Sequence, residues 1–404
     1  MRVSSGRGID RDMDQVTDAH CLEYETKPDV LVTAPGRFHL IGEHCWYFKD
    51  KTLSMAVNLP VYLAISVRND SALRFYYPQL KERKRANIST LKYRREDRWA
   101  NALKAIVFAF GECGFSCRGM NITVWSDILP SAGFGITTAI KVAMALAIRA
   151  LFHPNCTDAQ LLQIIDRGNR YFLNTGNFIS DIYTAMYSQE NSCILIDHSK
   201  NTYKAVPFDF KGYSIVLTDA RVPRISLWNE DTVRIPENFL LLAELKNQKN
   251  GYWIYEESET EINDVLSAVN EETRRRLICI MKEHDCIMNA VPALESGNFQ
   301  LFARMVNKSH EDMRDLFEIS CPEIDWLAKR VLEFDPAATV RNPAACARIT
   351  GKGFGRCLYT FMKTEDIDNY VQKLAEYERI FGFSASYYVV KPEKGAHVVE
   401  CTVK

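Results

Sequence analysis

The order of the predicted secondary-structure elements constrains the fold of this chain most strongly, because that order starts again beyond residue 205. Before this point, segments of alternating apolar residues predict strands, and an apolar segment at 136–152 predicts a helix. After it come a predicted strand at 214–218, long helices at roughly 237–247, 258–290 and 298–315, and closing strands. At 404 residues the chain also exceeds the usual size of one hydrophobic core, which indicates an α+β protein with two domains. The predicted segments are a flexible N-terminal arm at 1–27, a first domain at 28–205 and a second domain at 206–404.

The balance of charge argues against two classes of partner. Fifty Lys and Arg residues against fifty-one Asp and Glu residues give a net charge of −1. Nucleic acids and anionic membranes are bound by concentrated basic surfaces, so neither is predicted as a partner. The sequence leaves the oligomeric state open.

The cysteines and the apolar segments indicate the compartment. Twelve cysteines are scattered along the chain without a C-x-x-C pair, so neither a zinc site nor a dithiol redox motif is predicted. The N-terminus is polar and has no signal-peptide core, and no apolar run approaches the roughly twenty residues that span a bilayer. Free thiols suit a reducing compartment, so the chain is expected to be cytoplasmic.

A loop rich in small residues, Asp127 to Ala139, joins a predicted strand to the apolar helix. Small residues let backbone N–H groups approach an anion, and the start of the following helix favours negative charge. Thr137 and Thr138 place hydroxyls in the first turn, and Thr138 is predicted to reach a bound Mg²⁺. A glycine-containing turn that caps a core helix explains the loop equally well at this point. The predicted phosphate-binding residues are Pro130, Ser131, Ala132, Gly133, Phe134, Gly135, Thr137 and Thr138.

The segment from Ala34 to His44, APGRFHLIGEH, resembles the galactokinase signature A-P-G-R-V-N-L-I-G-E-H-T-D-Y nearly residue for residue, and Tyr47 is also in place. Galactokinases are members of the GHMP superfamily of small-molecule kinases. The resemblance implies that Arg37 lies against the reacting phosphate and hydroxyl, where a permanently charged fork of donors is suitable. It also implies that Glu43 and His44 contact the sugar.

Two glycine-containing motifs extend the resemblance. The loop at 130–139 is similar to the second GHMP motif, P-x-G-S/A-G-L-S/G-S-S-A, whose backbone wraps the phosphates of ATP, although Ile136 replaces a hydroxyl residue. The segment at 348–357 resembles the third motif, R-M-T-G-G-G-F-G-G-C, with Lys352 and Arg356 in place of glycines. This implies that Gly353 belongs to a loop over the substrate.

Similarity at 305–325 and 387–396 widens the match to roughly residues 28–400. The resemblance therefore implies a two-domain GHMP kinase fold. Each domain would hold a mixed or antiparallel sheet with helices, the active site would lie in the cleft between them, and ATP with Mg²⁺ would be the cofactors.

The catalytic base is assigned by spacing. In galactokinases the aspartate of G-x-x-D-Q-F-x-S lies sixteen residues before the aspartate of an A-L-L-I-D strand. Asp181 precedes Asp197, at the end of CILID, by the same sixteen residues, although Ile182 replaces the glutamine. The resemblance implies that Asp181 orients or deprotonates the sugar hydroxyl.

The sugar pocket departs from the family pattern. The signature's aspartate, which hydrogen-bonds two sugar hydroxyls in galactokinases, is replaced by Trp46. An indole offers one donor and no acceptor, so a galactose hydroxyl would lose its partners there. Trp46 is thus a predicted substrate-contact residue for a different acceptor.

Three functions are consistent with this sequence. The first is an ATP-dependent kinase for a sugar or polyol other than galactose. The second is a galactokinase-like sugar- or nucleotide-binding regulator with little or no catalysis. The third is a true galactokinase.

Overall fold

The computed structural model describes residues 9–45, 50–126, 134–175, 179–223, 267, 270–351 and 356–402. The strands are β1 (Val30–Ile41), β2 (Lys51–Val67), β3 (Ala72–Tyr77), β4 (Glu82–Asn87), β5 (Met120–Ser126), β6 (Ser192–Asp197), β7 (Thr202–Pro207), β8 (Tyr213–Asp219), β9 (Cys346–Thr350), β10 (Cys357–Lys363), β11 (Ser386–Val390) and β12 (His397–Cys401). The α-helices are α1 (Ile9–Tyr24), α2 (Ala100–Glu112), α3 (Ile136–Phe152), α4 (Asp158–Arg167), α5 (Ile179–Tyr187), α6 (Glu271–Glu295), α7 (Phe299–Asp315), α8 (Pro322–Leu332) and α9 (Ile367–Phe381).

The chain divides into two compact units that differ from the predicted domains at 28–205 and 206–404. Of the described residues, the N-terminal unit comprises those within 9–37, 56–188 and 393–402, and the C-terminal unit comprises those within 38–55 and 189–392. Strand β6 pairs with the first residues of β2, from Lys51 to Ser54, and β7 pairs with β6. Because of this long-range pairing, β6 and β7 belong to the C-terminal unit. A single boundary near residue 205 therefore does not separate the two units.

In the N-terminal unit the strands follow the order β12-β1-β2-β5-β3-β4. The β3–β5 pair is parallel, whereas β2 and β5 are antiparallel with Val61 opposite Ser126. The apolar segment predicted as a helix at 136–152 is α3, whose residues are mostly buried. Thr157 caps α4 through a capping box with Gln160.

Helix α1 corrects the prediction of a flexible arm at 1–27 for its residues Ile9–Tyr24. Val16 and His20 are completely buried in the N-terminal unit. The two imidazole nitrogens of His20 lie 2.9 Å from the Thr123 hydroxyl and 3.0 Å from the Ser66 hydroxyl. Only a narrow stripe of α1, which includes Val16 and His20, packs on the sheet, and the remaining sequence of the helix is polar. Formation of this helix therefore depends on tertiary contacts.

The buried imidazole of His20 makes stability depend on pH. Burial lowers the pKa of His20 to about 4, against 6.5 for a free histidine. As the pH falls, this histidine is protonated in the unfolded chain before it is protonated in the folded chain. The stabilisation contributed by the neutral imidazole is therefore fully present above pH 6.5, and about 3 kcal/mol of it is lost as the pH falls toward 4. We expect His20→Gln to reduce the change in the free energy of unfolding between pH 7 and pH 4.5, as measured by urea denaturation. An unchanged pH slope in the variant would contradict this account.

The C-terminal unit contains an antiparallel sheet in the order β11-β8-β10-β9. Asp219, at the end of β8, lies opposite Cys357 on one side and Ser386 on the other. Helices α7 and α8 pack against β9, and α6 packs along α7. The predicted helix at 298–315 is confirmed as α7, whereas the one predicted at 237–247 lies outside the described residues. Within the described part of the chain, no helix has both the length and the apolarity needed to cross a bilayer.

Candidate active site

The first part of the signature lies on β1 and is held close to the residues that precede α3. The Arg37 N–H donates to the Phe134 carbonyl at 2.9 Å. A Cβ atom on Gly36 would lie 2.9 Å from the Leu59 carbonyl oxygen and 3.2 Å from that of Phe134. Only glycine fits this approach without a backbone shift, which explains why the signature needs a glycine before the arginine.

The start of α3 presents backbone N–H groups and threonine hydroxyls. Gly135 caps the helix with φ of 76° and supplies no side-chain hydrogen bond. The first intrahelical bond joins the Ala139 N–H to the Gly135 carbonyl at 2.9 Å, so the N–H groups of 136–138 have no acceptor within the helix. Thr137 is exposed and Thr138 is buried. The first turn therefore combines a positive helix end, hydroxyl groups and amides that have no acceptor among the described residues.

Helix α5 brings the predicted base to the predicted arginine. Asp181 lies in the first turn of α5 and is buried. The Nη2 atom of Arg37 donates to Oδ2 of Asp181, and each side chain is only 11% exposed. The Nε atom of Arg37 is buried and finds no partner among the described residues. The guanidinium thus orients the carboxylate and retains a donor for a ligand.

These residues fit a nucleotide polyphosphate. Among the described residues, the buried Arg37 guanidinium keeps a donor without an acceptor, and so do the amides that begin α3. Both groups are suited to phosphoryl oxygens. The remaining predicted phosphate-loop residues, 130–133, lie outside the described residues. Their roles, and that of Thr138 as a metal ligand, stay predictions.

Gly135 leaves the space that the side chain of Arg37 occupies. A Cβ atom at Gly135 would lie 2.7 Å from Arg37 Cγ and 3.2 Å from its Nε atom. We expect Gly135→Ala to displace the arginine and lower kcat by about 10²-fold, since small misplacements of a catalytic group have costs of this order. Steady-state kinetics would measure the loss. Gly382→Ala is the matched control, because Gly382 has φ of 77° and no atom within 4 Å of the added Cβ. Equal activity losses in the two variants would contradict the proposed clash.

In the C-terminal unit, Glu43 forms a buried ion pair with Arg348. Nη1 and Nη2 of Arg348 donate to the two carboxylate oxygens at 2.9 Å and 2.8 Å. Burial by itself would raise the pKa of Glu43, but the Arg348 guanidinium outweighs it and the pKa is lowered. Both oxygens of Glu43 therefore accept from Arg348, and the sugar contact predicted for this carboxylate stays a prediction.

The side chain of His44, unlike that of Glu43, is uncharged. Its ring stacks on Phe317 with centroids 4.9 Å apart, and burial lowers the pKa of the imidazole to about 4, so it is neutral at pH 7. Its Nε2 atom is buried and lacks a hydrogen-bond partner within the described ranges. A ligand hydroxyl would satisfy this atom.

Other predicted residues are placed less completely. Trp46 and Gly353 lie outside the described residues, so their substrate roles stay predictions. Arg356, which replaces a glycine of the third motif, donates from Nη2 to Asp219 at 3.0 Å. Sequence reasoning missed Arg348 as a partner of Glu43, although the arginine that opens the third motif was the available signal.

Family models match three parts of the chain. They are the galactokinase galactose-binding signature at residues 18–67, the GHMP kinases N terminal domain at 99–189 and the GHMP kinases C terminal model at 290–379. A protein of Treponema pallidum described as "Putative galactokinase" is 38% identical over 397 residues, which cover 96% of this chain and 97% of that protein. The galactokinase of Bacillus subtilis is 25% identical, with 90% and 93% covered.

Solved structures share the fold. The Lactococcus lactis galactokinase complexed with galactose superposes with a TM-score of 0.84 at 20% identity, covering 95% of this chain and 99% of that one. The Methanococcus jannaschii mevalonate kinase has a TM-score of 0.63 at 14% identity, with 91% and 99% covered. The predicted α+β two-domain GHMP kinase fold is confirmed.

Fold and motifs together define a small-molecule kinase of the GHMP class, a phosphotransferase that uses ATP with Mg²⁺. Within that class the chain belongs to the galactokinase family, and it is a sugar kinase of the galactokinase type.

Proposed function

We propose that this chain transfers the γ-phosphate of ATP to a hydroxyl of a sugar or polyol other than galactose. The observation that carries the proposal of catalysis is the buried Arg37–Asp181 pair, which lies in the same unit as the glycine-capped start of α3. A carboxylate, a guanidinium and free helix amides are the groups that phosphoryl transfer requires. The exclusion of galactose depends on Trp46, which stands where the family has an aspartate.

In this mechanism Asp181 orients the acceptor hydroxyl and takes its proton as the oxygen attacks. Arg37 holds that carboxylate through Nη2 and uses its remaining donors to stabilise charge on the phosphoryl oxygens. The amides of the first turn of α3 bind phosphate oxygens. When bound, ATP supplies the phosphoryl group and Mg²⁺ neutralises the charge of its phosphates, with Thr138 as the proposed protein ligand.

Two other functions have specific support. The relatives named galactokinase and the match to the galactose-binding signature favour galactose as the acceptor. The replacement of a loop hydroxyl by Ile136 favours a regulator that binds without turnover. We place the reaction in the cytoplasm, because twelve scattered cysteines without a C-x-x-C pair suit a reducing compartment.

A panel assay separates these functions. ATP consumption by the wild-type protein is measured with Mg²⁺ and, as acceptors, aldoses, ketoses, amino sugars, polyols and galactose. The control is the Asp209→Asn variant, which alters an exposed aspartate. The proposal expects turnover with an acceptor other than galactose at a higher kcat/KM than with galactose. Galactose as the best acceptor would overturn the proposed acceptor class and establish a galactokinase. Bound ATP without turnover on any acceptor would overturn catalysis and favour the regulator.

A further inference from the structure

Strand β4 lies at one edge of the sheet in the N-terminal unit and carries exposed positive charge. Within the described residues it pairs with β3 only. Its exposed side chains alternate along the strand, so Arg83 and Arg85 lie on the same face. Arg74 of β3 lies directly opposite Arg85 and is also exposed, as is Lys81 in the turn between the two strands. We call Arg74, Lys81, Arg83 and Arg85 the basic edge.

The charge of this part of the chain is opposite to that of the rest. Residues 72–98 contain nine Lys and Arg residues against three Asp and Glu residues, although the whole chain has a net charge of −1. The segment after β4 stays beside the strand, because Lys84 Nζ donates to the Glu96 carbonyl at 2.7 Å and Trp99 Nε1 donates to Glu82 at 2.9 Å. The near-neutral balance of the chain therefore conceals a concentrated basic surface.

Only part of this charge is neutralised among the described residues. Arg83 donates to both carboxylate oxygens of Glu23 on α1, at 2.7 Å and 2.6 Å, and its guanidinium lies 4.6 Å from the centroid of the Tyr76 ring. Arg74 and Arg85 form no ion pair within the part of the chain that the structure describes. Like charges on directly opposed residues of an antiparallel pair are destabilising. The fold therefore keeps these two adjacent cations at a cost in stability.

Protection of the sheet edge explains the arginines only in part. Charged side chains on an edge strand prevent pairing with a second copy, because arginines would then face arginines. That purpose requires cations on β4 itself, whereas Arg74 lies on the neighbouring strand inside the edge. An acidic polypeptide in an extended conformation fits both features of this surface. Its backbone would continue the sheet, and its carboxylates at alternate positions would face Arg83 and Arg85. RNA or a lipid surface would match the charge and leave the backbone of the edge unused.

We propose that the basic edge binds an acidic segment of a partner protein, which adds to the sheet as a strand beside β4. Carboxylates of that segment pair with Arg83 and Arg85 across the new strand pair. Strand β3 lies two strand spacings, about 10 Å, from the added strand, a span that an arginine and a glutamate side chain bridge together. Arg74 thus adds a third cation to the same face. This surface is separate from the proposed phosphoryl transfer and does not depend on the acceptor.

Binding of synthetic peptides to the full chain, measured by fluorescence anisotropy, tests the proposal. The probe is a labelled peptide of five Glu-Thr repeats, in which the carboxylates alternate as they would on one face of a strand. Arg74→Gln combined with Arg85→Gln should weaken its binding about 10-fold, because two charge-assisted contacts are lost. The matched control is Lys27→Gln combined with Arg170→Gln, which removes two exposed cations of the same unit outside residues 72–98. It should keep the affinity within about twofold, since distant exposed charges are screened. All four substitutions alter exposed side chains, so both proteins should fold.

A second peptide and hydrogen exchange test the addition of a strand. Five Glu-Pro-Pro repeats carry the same number of carboxylates but lack most of the N–H groups that a strand needs, so this peptide should bind about 10-fold more weakly. Addition of the Glu-Thr peptide should slow exchange of the β4 amides and leave those of β12, at the opposite edge of the sheet, unchanged.

Four results would overturn the proposal. They are unchanged binding in the double arginine variant, equal affinity for the two peptides, unchanged exchange in β4, and tighter binding of single-stranded oligouridine or phosphatidylserine vesicles than of the Glu-Thr peptide. The last result would assign the basic edge to a nucleic acid or a membrane surface, according to the probe that binds.

Discussion

The Asp181→Asn protein is expected to fold normally and to lose about 10²–10⁴-fold in kcat, the range typical of removing a general base. Asparagine is nearly isosteric and can still accept the hydrogen bond from Arg37 through its side-chain oxygen. It cannot take the proton of the acceptor hydroxyl, so substrate binding should be largely retained while the chemical step is lost. Steady-state kinetics on the best acceptor, together with ATP binding by calorimetry, would separate the two effects.

The matched control is Asp209→Asn, which alters an exposed aspartate and should keep wild-type kcat. A second comparison uses Arg37→Gln alone and combined with Asp181→Asn. Because Arg37 donates directly to Asp181, the two losses should be strongly non-additive. Wild-type kcat in Asp181→Asn would show that this carboxylate is not the base and that the spacing argument is wrong.

Arg348→Met is expected to lower the free energy of unfolding by about 3–5 kcal/mol, because it leaves the buried carboxylates of Glu43 and Glu283 without their shared cation. The side chain of Arg348 has no exposed surface, and those of Glu43 and Glu283 have 4% and none. Methionine fills much of the volume, so the loss reflects unpaired charge more than a cavity. Urea denaturation monitored by far-UV circular dichroism would measure it.

The effect of Arg348→Met should depend on pH in a defined direction. Burial raises the pKa of Glu283 even with Arg348 present, and without the guanidinium both carboxylates should titrate higher still. The folded variant would then bind more protons than its unfolded chain, so its deficit should narrow as the pH falls from 7 toward 5. Arg275→Met is the control, since the more exposed pair of Arg275 with Glu318 should be worth less than about 1 kcal/mol. Equal losses in the two variants, independent of pH, would contradict the charge argument.

The motifs were readable because each depends on local backbone chemistry. Gly36 and Gly135 stand where a side chain would collide with a neighbouring carbonyl or with Arg37, and the sequence shows both glycines in short, recognisable segments. The spacing between Asp181 and Asp197 is likewise visible in the sequence, because the two residues lie on consecutive elements, helix α5 and strand β6. The structure brings Arg37, Phe134, Gly135 and Asp181 together in one unit, which is the arrangement that the motifs predicted.

The sequence by itself determined the kinase class, the glycine-capped start of α3 and the Arg37–Asp181 pair, since these follow from contiguous motifs and fixed spacing. Only the tertiary structure decided that α1 is a packed helix, because its stripe is too narrow to predict burial without the sheet beneath it. Only the tertiary structure joined Glu43 to Arg348, about three hundred residues away, and to Glu283 and Ser309. A buried ion network is specified by the residues that surround it in space, and no local pattern in a single sequence records which distant side chains will meet.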